Sequence, residues 1–208
     1  MSAINFRIIQ AQPNTTSADL TKEDRLEQLV SHQTRELSRL RQAAVRDPLT
    51  GGANMRSLAM AFDWLERDDP VSMLFIDIDG FHKVNEALGR TCGDAVLTAV
   101  HTQLERTLRW DDVVAREGAD RFVALLPLAI HEDAQAVAER LRDDINKMCF
   151  QSPEGRFRMT VRVGCASLEN DDTLNDLMTR ADRGCREARK FGGNVVSSAE
   201  METVQTAM

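Results

Sequence analysis

The stretch SMLFIDIDGFHKVNEALGRTCGDAVL, residues 72–97, decides the fold. Ser72 to Ile78 is an apolar run of strand length that carries Asp77 and is followed at once by Asp79, so it reads as a buried strand ending in two aspartates. A short helix, Phe81 to Leu88, is expected next, then a longer one from Gly93 to Arg109 with Val96, Leu97, Val100, Leu104 and Leu108 on one face. Downstream, strands Val113 to Arg116 and Phe122 to Leu126 flank Glu117-Gly118-Ala119-Asp120-Arg121, which has the form of a tight hairpin. Helix Glu132 to Met148, strand Arg158 to Ala166, helix Leu174 to Phe191 and strand Val195-Val196 follow, and helix Met55 to Glu66 precedes. Helices alternating with strands around one hairpin predict an α+β fold, a mixed sheet covered by helices, rather than a doubly wound parallel sheet.

Upstream, Leu26, Val30, Gln33, Leu37, Leu40 and Ala44 are spaced 4, 3, 4, 3 and 4 apart, the alternation of a coiled-coil seam with one polar position. An N-terminal stalk helix over 24–46 is expected, paired with a second chain; an amphipathic helix packed on its own domain fits the same pattern. Asp47-Pro48 ends it, because the residue before proline is pushed away from helical angles. Residues 1–23 read as a flexible lead-in, 47–198 as the folded domain and 199–208 as a tail.

The 208 residues are 42% hydrophobic, enough for one sizeable core and too few for a multidomain enzyme. Asp and Glu number 33 against 26 Lys and Arg, a net charge of −7, which argues against duplex nucleic acid as a partner but not against a small anionic ligand met by a few local cations. Cys92, Cys149, Cys165 and Cys185 form no CxxC pair, so reduced thiols and a cytoplasmic protein are expected. Arg7 interrupts the first apolar stretch, and the longest nearly apolar run, Phe122 to Ile130, is nine residues. Neither a signal peptide nor a membrane span is predicted.

Burying a carboxylate at the end of an apolar strand is costly unless a cation or hydrogen bonds compensate it, which makes Asp77 and Asp79 candidates for chemistry. If the hairpin lies beside that strand, Asp120 joins Asp77 at one sheet edge, an arrangement suited to Mg²⁺ over a nucleotide triphosphate; two solvated turn aspartates are the plainer alternative. No GxxxxGK[ST] loop is present. Gly51-Gly52 and Gly192-Gly193 read as a turn and a helix terminus. His32, His82, His101 and His131, without metal-ligand spacing, read as surface or rim residues.

Five blocks in order, DPLTGGANMR (47–56), FIDIDGFHKVNEALGRTCGDAVL (75–97), RWDDVVAREGADRF (109–122), VRVGCAS (161–167) and ADRGCREARKFGGN (181–194), resemble the GGDEF family of diguanylate cyclase domains. The resemblance implies a palm-like sheet similar to that of class III nucleotidyl cyclases. It also implies an activity in which two GTP-loaded domains face each other, each 3′-hydroxyl attacking the other α-phosphate to give cyclic di-GMP and pyrophosphate. Asp77 matches the strand-end metal ligand, Ile78 the backbone-carbonyl ligand and Asp120 the acidic third signature position, with Mg²⁺ or Mn²⁺ as the implied ion. Asn85 and Asp94 match the residues that read the guanine edge.

Departures from the family pattern are as specific. The signature reads Gly118-Ala119-Asp120-Arg121-Phe122, so alanine stands at the second glycine and Arg121 at the fourth, acidic position. That charge reversal is expected to repel a metal or to form an ion pair with Asp120. His82 stands where the family has a phosphate-binding lysine, with Lys83 the adjacent substitute. Arg189 replaces the other phosphate lysine, Arg186 a tyrosine, and Gly193 the arginine of the usual GRN ending. Arg109-Trp110-Asp111-Asp112, with five residues between Asp112 and Gly118, matches the RxxD of the family's inhibitory cyclic di-GMP site through Arg109 and Asp112. The expectation is a homodimeric signalling domain that binds GTP with Mg²⁺, cyclic di-GMP, or both, with cyclase activity weak or lost. A working cyclase and a non-catalytic dimerisation scaffold are the other two readings.

Overall fold

The computed structural model describes residues 21–66, 68–169 and 171–198. The expected lead-in, apart from its last three residues, and the tail 199–208 lie outside them. The chain divides into two units, Met1–Gln42 and Ala43–Met208.

Helix α1 (Lys22–Val45), all but its last three residues in the first unit, begins two residues earlier than expected. Thr21 and Asp24 explain the start: the Asp24 carboxylate accepts from the Thr21 backbone N–H at 2.9 Å, while Thr21 Oγ1 accepts from the Asp24 N–H at 3.1 Å. These reciprocal bonds satisfy backbone donors that a helix start leaves unpaired. Leu26, Val30, Leu37 and Leu40 of the predicted seam, with Leu29, are all more than half exposed.

The second unit is built on a six-stranded sheet of order β1-β3-β4-β2-β7-β8. Its strands are β1 (Ala53–Asn54), β2 (Val71–Ile78), β3 (Val113–Arg116), β4 (Arg121–Pro127), β7 (Val161–Ser167) and β8 (Val196–Ser198). The central strand β2 is antiparallel to both β4 and β7, and the outer pairs β1–β3 and β7–β8 are parallel. The α+β class is therefore observed as expected. β5 (Phe150–Ser152) and β6 (Gly155–Phe157) form a separate hairpin that the sequence pattern did not announce, closed by stacked Phe150 and Phe157 rings 5.4 Å apart.

Alternation along β2 sends its residues to two cores. Leu74, Ile76 and Ile78, with Phe122, Ala124 and Leu126 of β4, face helices α3 (Phe81–Leu88), α4 (Arg90–Thr107) and α5 (His131–Lys147). Met73 and Phe75, with Val123 and Leu125, face α2 (Met55–Asp63) and α6 (Leu174–Lys190). Gly164 of β7 lets α6 come this close: a Cβ there would lie 2.0 Å from the Ala181 carbonyl oxygen and 2.2 Å from the Cys185 nitrogen.

Several boundaries differ from expectation. α4 starts at Arg90, because Gly89 at φ +81 turns the chain directly from α3 into it. α2 stops at Asp63, where Trp64 and Leu65 donate to carbonyls three residues back and tighten the last turn. The last strand is Val196–Ser198 rather than Val195-Val196, paired with Val163, Gly164 and Cys165. His101, expected at the surface, is 1% exposed in α4 with its ring 5.9 Å from that of Phe122. It fills the space over Gly52, where a Cβ would meet its Nε2 at 1.9 Å.

Candidate active site

Three strands bring the site together. In register, Asp77 of β2 lies directly opposite Arg121 of β4 on one side and Arg162 of β7 on the other. Ile78 donates its backbone N–H to the Asp120 carbonyl at 3.1 Å, which ties the hairpin to the strand end. A cavity of about 370 Å³ opens here, lined among others by Asp77, Ile78, His82, Asp120, Arg121 and Arg189. These six candidates are therefore neighbours. Lys83, Asn85 and Asp94 do not line it: Lys83 and Asp94 are exposed on α3 and α4, and Asn85 is half-buried on α3. Gly93 makes room for Asn85, since a Cβ there would sit 1.9 Å from Asn85 Oδ1.

Arg162 also lines this cavity, and sequence reasoning missed it. Its guanidinium donates through Nη2 to Asp77 Oδ1 and through Nη1 to Asp79 Oδ1, both at 2.6 Å, and its side chain is 15% exposed. The available signal was the alternation of β7. Met159, Val161, Val163 and Cys165 occupy one face, so Arg162 points to the other, where a buried cation needs an acid. Asp79 has a structural part. Its Oδ2 accepts from Thr160 Oγ1 at 2.7 Å and from the Asn194 backbone N–H at 2.8 Å. Gly193, at φ +88, is required by that closeness, because a Cβ would lie 2.7 Å from Asp79 Oδ2. An arginine at 193 would therefore disturb the anchor of the last loop.

Arg121 forms its ion pair with Glu117 at 2.8 Å, not with Asp120, and its guanidinium lies 5.6 Å from the centre of the Phe75 ring. Ala119 costs the hairpin nothing, since neither it nor Gly118 has positive φ. Burial raises the Asp77 carboxyl above its ordinary range; Arg162 opposes this, while Asp120 and Asp79 add to it. A smaller cavity of about 120 Å³ continues along α6, sharing Asp77, Arg121, Arg162 and Arg189 and adding Asp182, Cys185 and Arg186. Arg186 is paired with Asp182 there, and burial pushes the Cys185 thiol up to about 12, so it is not a nucleophile.

A divalent metal does not fit this arrangement as it stands. One Asp77 oxygen and both Asp79 oxygens are engaged, the fourth signature position carries a guanidinium, and no group of three His, Cys, Asp or Glu among the described residues is placed to hold an ion.

Arg109 and Asp112 lie at another cavity, of about 410 Å³, which shares no lining residue with the first. Asp112 Oδ2 accepts from the Arg109 backbone N–H at 2.8 Å, and the Arg109 side chain is exposed. Burial raises the Asp112 carboxyl, an effect the Arg109 N–H opposes.

The model of the diguanylate cyclase GGDEF domain matches residues 44–195. The chain belongs to the GGDEF family. It is 35% identical over 161 residues to the response regulator PleD of Caulobacter vibrioides and 33% identical over 193 residues to the diguanylate cyclase DgcM of Escherichia coli, covering 74% and 87% of this chain. The matches span 36% and 42% of those relatives' lengths. Among solved structures, the diguanylate cyclase SiaD of Pseudomonas aeruginosa, crystallised with its activator SiaC, superposes with a TM-score of 0.71 at 28% identity, over 85% of this chain and 70% of that one. The coiled coil and GGDEF domain of DgcB from Caulobacter crescentus, in complex with c-di-GMP, gives 0.75 at 24% identity over 85% and 98%, a likeness of fold. The GGDEF sheet thus accounts for the palm-like architecture expected from the resemblance.

Proposed function

We propose that this GGDEF domain is a cyclic di-GMP signalling module that binds guanine nucleotide and has little or no diguanylate cyclase activity. The observation that carries the reading is the Arg162 guanidinium, 2.6 Å from the Asp77 carboxylate that a cyclase would give to its metal, with Arg121 opposite Asp77 in the strand register on the other side. Metal-assisted phosphoryl transfer depends on neutralising charge at the reacting phosphate and on placing two nucleotides in line. Asp77 and Asp120 are the carboxylates that a Mg²⁺ would need, and Arg162 holds one oxygen of the first. Asn85 and Asp94 supply the polar groups proposed to read guanine, Lys83 and Arg189 the cations proposed for the phosphates, and His82 a hydrogen-bonding side chain beside them. Purified protein incubated with GTP and Mg²⁺ or Mn²⁺ is expected to form cyclic di-GMP slowly or not at all; robust turnover would establish the working-cyclase reading instead.

A second binding role is favoured by the exposed Arg109 at its own cavity. The proposed ligand is cyclic di-GMP, gripped by the arginine fork with Asp112 accepting from a guanine edge. Calorimetric titration is expected to show binding by the wild type, with a loss of about tenfold or more in Arg109→Ala. No binding by the wild type would remove the receptor role. Retention of Asn85 and Asp94 weighs against a pure scaffold. A homodimer paired through α1 and the GGDEF domain, working in the cytoplasm, completes the proposal. No helix among the described residues is long and apolar enough to cross a membrane.

A further inference from the structure

Resting on the reading that the domain binds guanine nucleotide, we infer that the cavity between β2, β4 and β7 takes the nucleotide's phosphates on arginine guanidiniums without a divalent metal, Arg162 holding the Asp77 carboxylate that the metal would need. Arg162 bridges Asp77 and Asp79, as a bound cation would, with both contacts at 2.6 Å. Its position is fixed by the β7 register opposite Asp77 and by the anchoring of Asp79 to Thr160 and Asn194. For a metal to take both Asp77 oxygens, this guanidinium must give up its bond to Asp77 and keep Asp79 alone, which loses a charge-assisted hydrogen bond at a largely buried position.

Three arginines, Arg121, Arg162 and Arg189, line the cavity with Asp77 and Asp120, and the first two also reach carboxylates outside the lining, Glu117 and Asp79. A guanidinium has five N–H donors, so Arg162 retains donors beyond the two Nη contacts it makes to carboxylates. Arg121 is 38% exposed while paired with Glu117, and Arg189, in the last turn of α6, makes no ion pair among the described residues. Planar forks fixed in this way suit the oxygens of a phosphate chain. The smaller cavity that shares these arginines leads on toward Arg186. Divalent metal is then dispensable for holding the nucleotide, which separates binding from catalysis in one pocket.

The test is equilibrium titration of GTP onto the full chain, once in excess EDTA and once in saturating Mg²⁺. The expected affinities agree within about threefold, and Arg162→Ala lowers the affinity in EDTA by roughly tenfold or more. A parallel Mn²⁺ titration read by electron paramagnetic resonance is expected to show no bound ion in the wild type and a bound ion in Arg162→Ala. GTP binding that requires Mg²⁺ overturns the inference and leaves the nucleotide-binding reading standing. Absence of GTP binding in both conditions overturns both. Should Arg162→Ala fail to fold, Arg162→Lys keeps the charge and removes the fork; undiminished affinity of that variant in EDTA also overturns the assignment.

Discussion

At the scale of single residues, two arginines flank Asp77 in the strand register, and one of them reaches its carboxylate. Arg121 alone turns toward Glu117 and Phe75, whereas Arg162 holds the Asp77 carboxylate. Arg121→Glu by itself is therefore expected to leave cyclic di-GMP formation near the wild-type level. The double variant Arg121→Glu/Arg162→Ala should raise it by about tenfold or more in Mn²⁺, measured by product chromatography. His101 gives a prediction of a different kind. Burial holds its pKa below the ordinary value, although Glu105, 3.7 Å from Nδ1, and Asp47 both pull it upward. Because the folded pKa is the lower one, the unfolded chain takes up more protons below about pH 6.5. Stability is then lost as pH falls from that value toward the folded pKa, and His101→Phe is expected to flatten this part of a urea-midpoint profile. Asp77 and Asp120 were legible in the sequence because a polar end to an apolar strand is a local pattern. Arg162 was not, because its partners lie more than eighty residues away along the chain, at 77 and 79.

At the scale of elements, the site depends on how closely α6 lies on β7. Gly164 has no room for a Cβ beneath the α6 backbone, so Gly164→Ala must push the helix away and with it Arg189 and Arg186. A loss of about 1–3 kcal/mol is expected from urea denaturation, together with weaker GTP binding than the wild type. The long helices were readable from apolar stripes that repeat every 3.6 residues, β7 from its alternation, and β2 and β4 as apolar runs of strand length that are buried on both faces. The two-residue β1 and the β5–β6 hairpin were not, for they are too short to carry a period and owe their form to pairing partners. The early start of α4 likewise follows from the backbone turn at Gly89 and not from any apolar stripe.

At the scale of the whole molecule, the α1 seam leaves Leu26, Val30, Leu37 and Leu40 open to solvent in the single chain, more apolar surface than a lone helix keeps without a partner. Full-length protein is expected to elute as a dimer in light-scattering chromatography, and Leu37→Glu to shift it toward monomer while the cooperative unfolding of the 43–198 unit is unchanged. The amino-acid sequence by itself determined the α+β class, the order of the long elements, the family and the places where its signature is broken, since all of these are written in local periodicity and motif order. Only the tertiary structure decided which side chains meet around Asp77 and Asp79. Strand register set Asp77 between two arginines, Arg162 took both aspartates, and Gly193 proved necessary for the packing of Asp79. The physical reason is that a carboxylate's role depends on which cation reaches it through space, and a register between strands distant in sequence makes that choice.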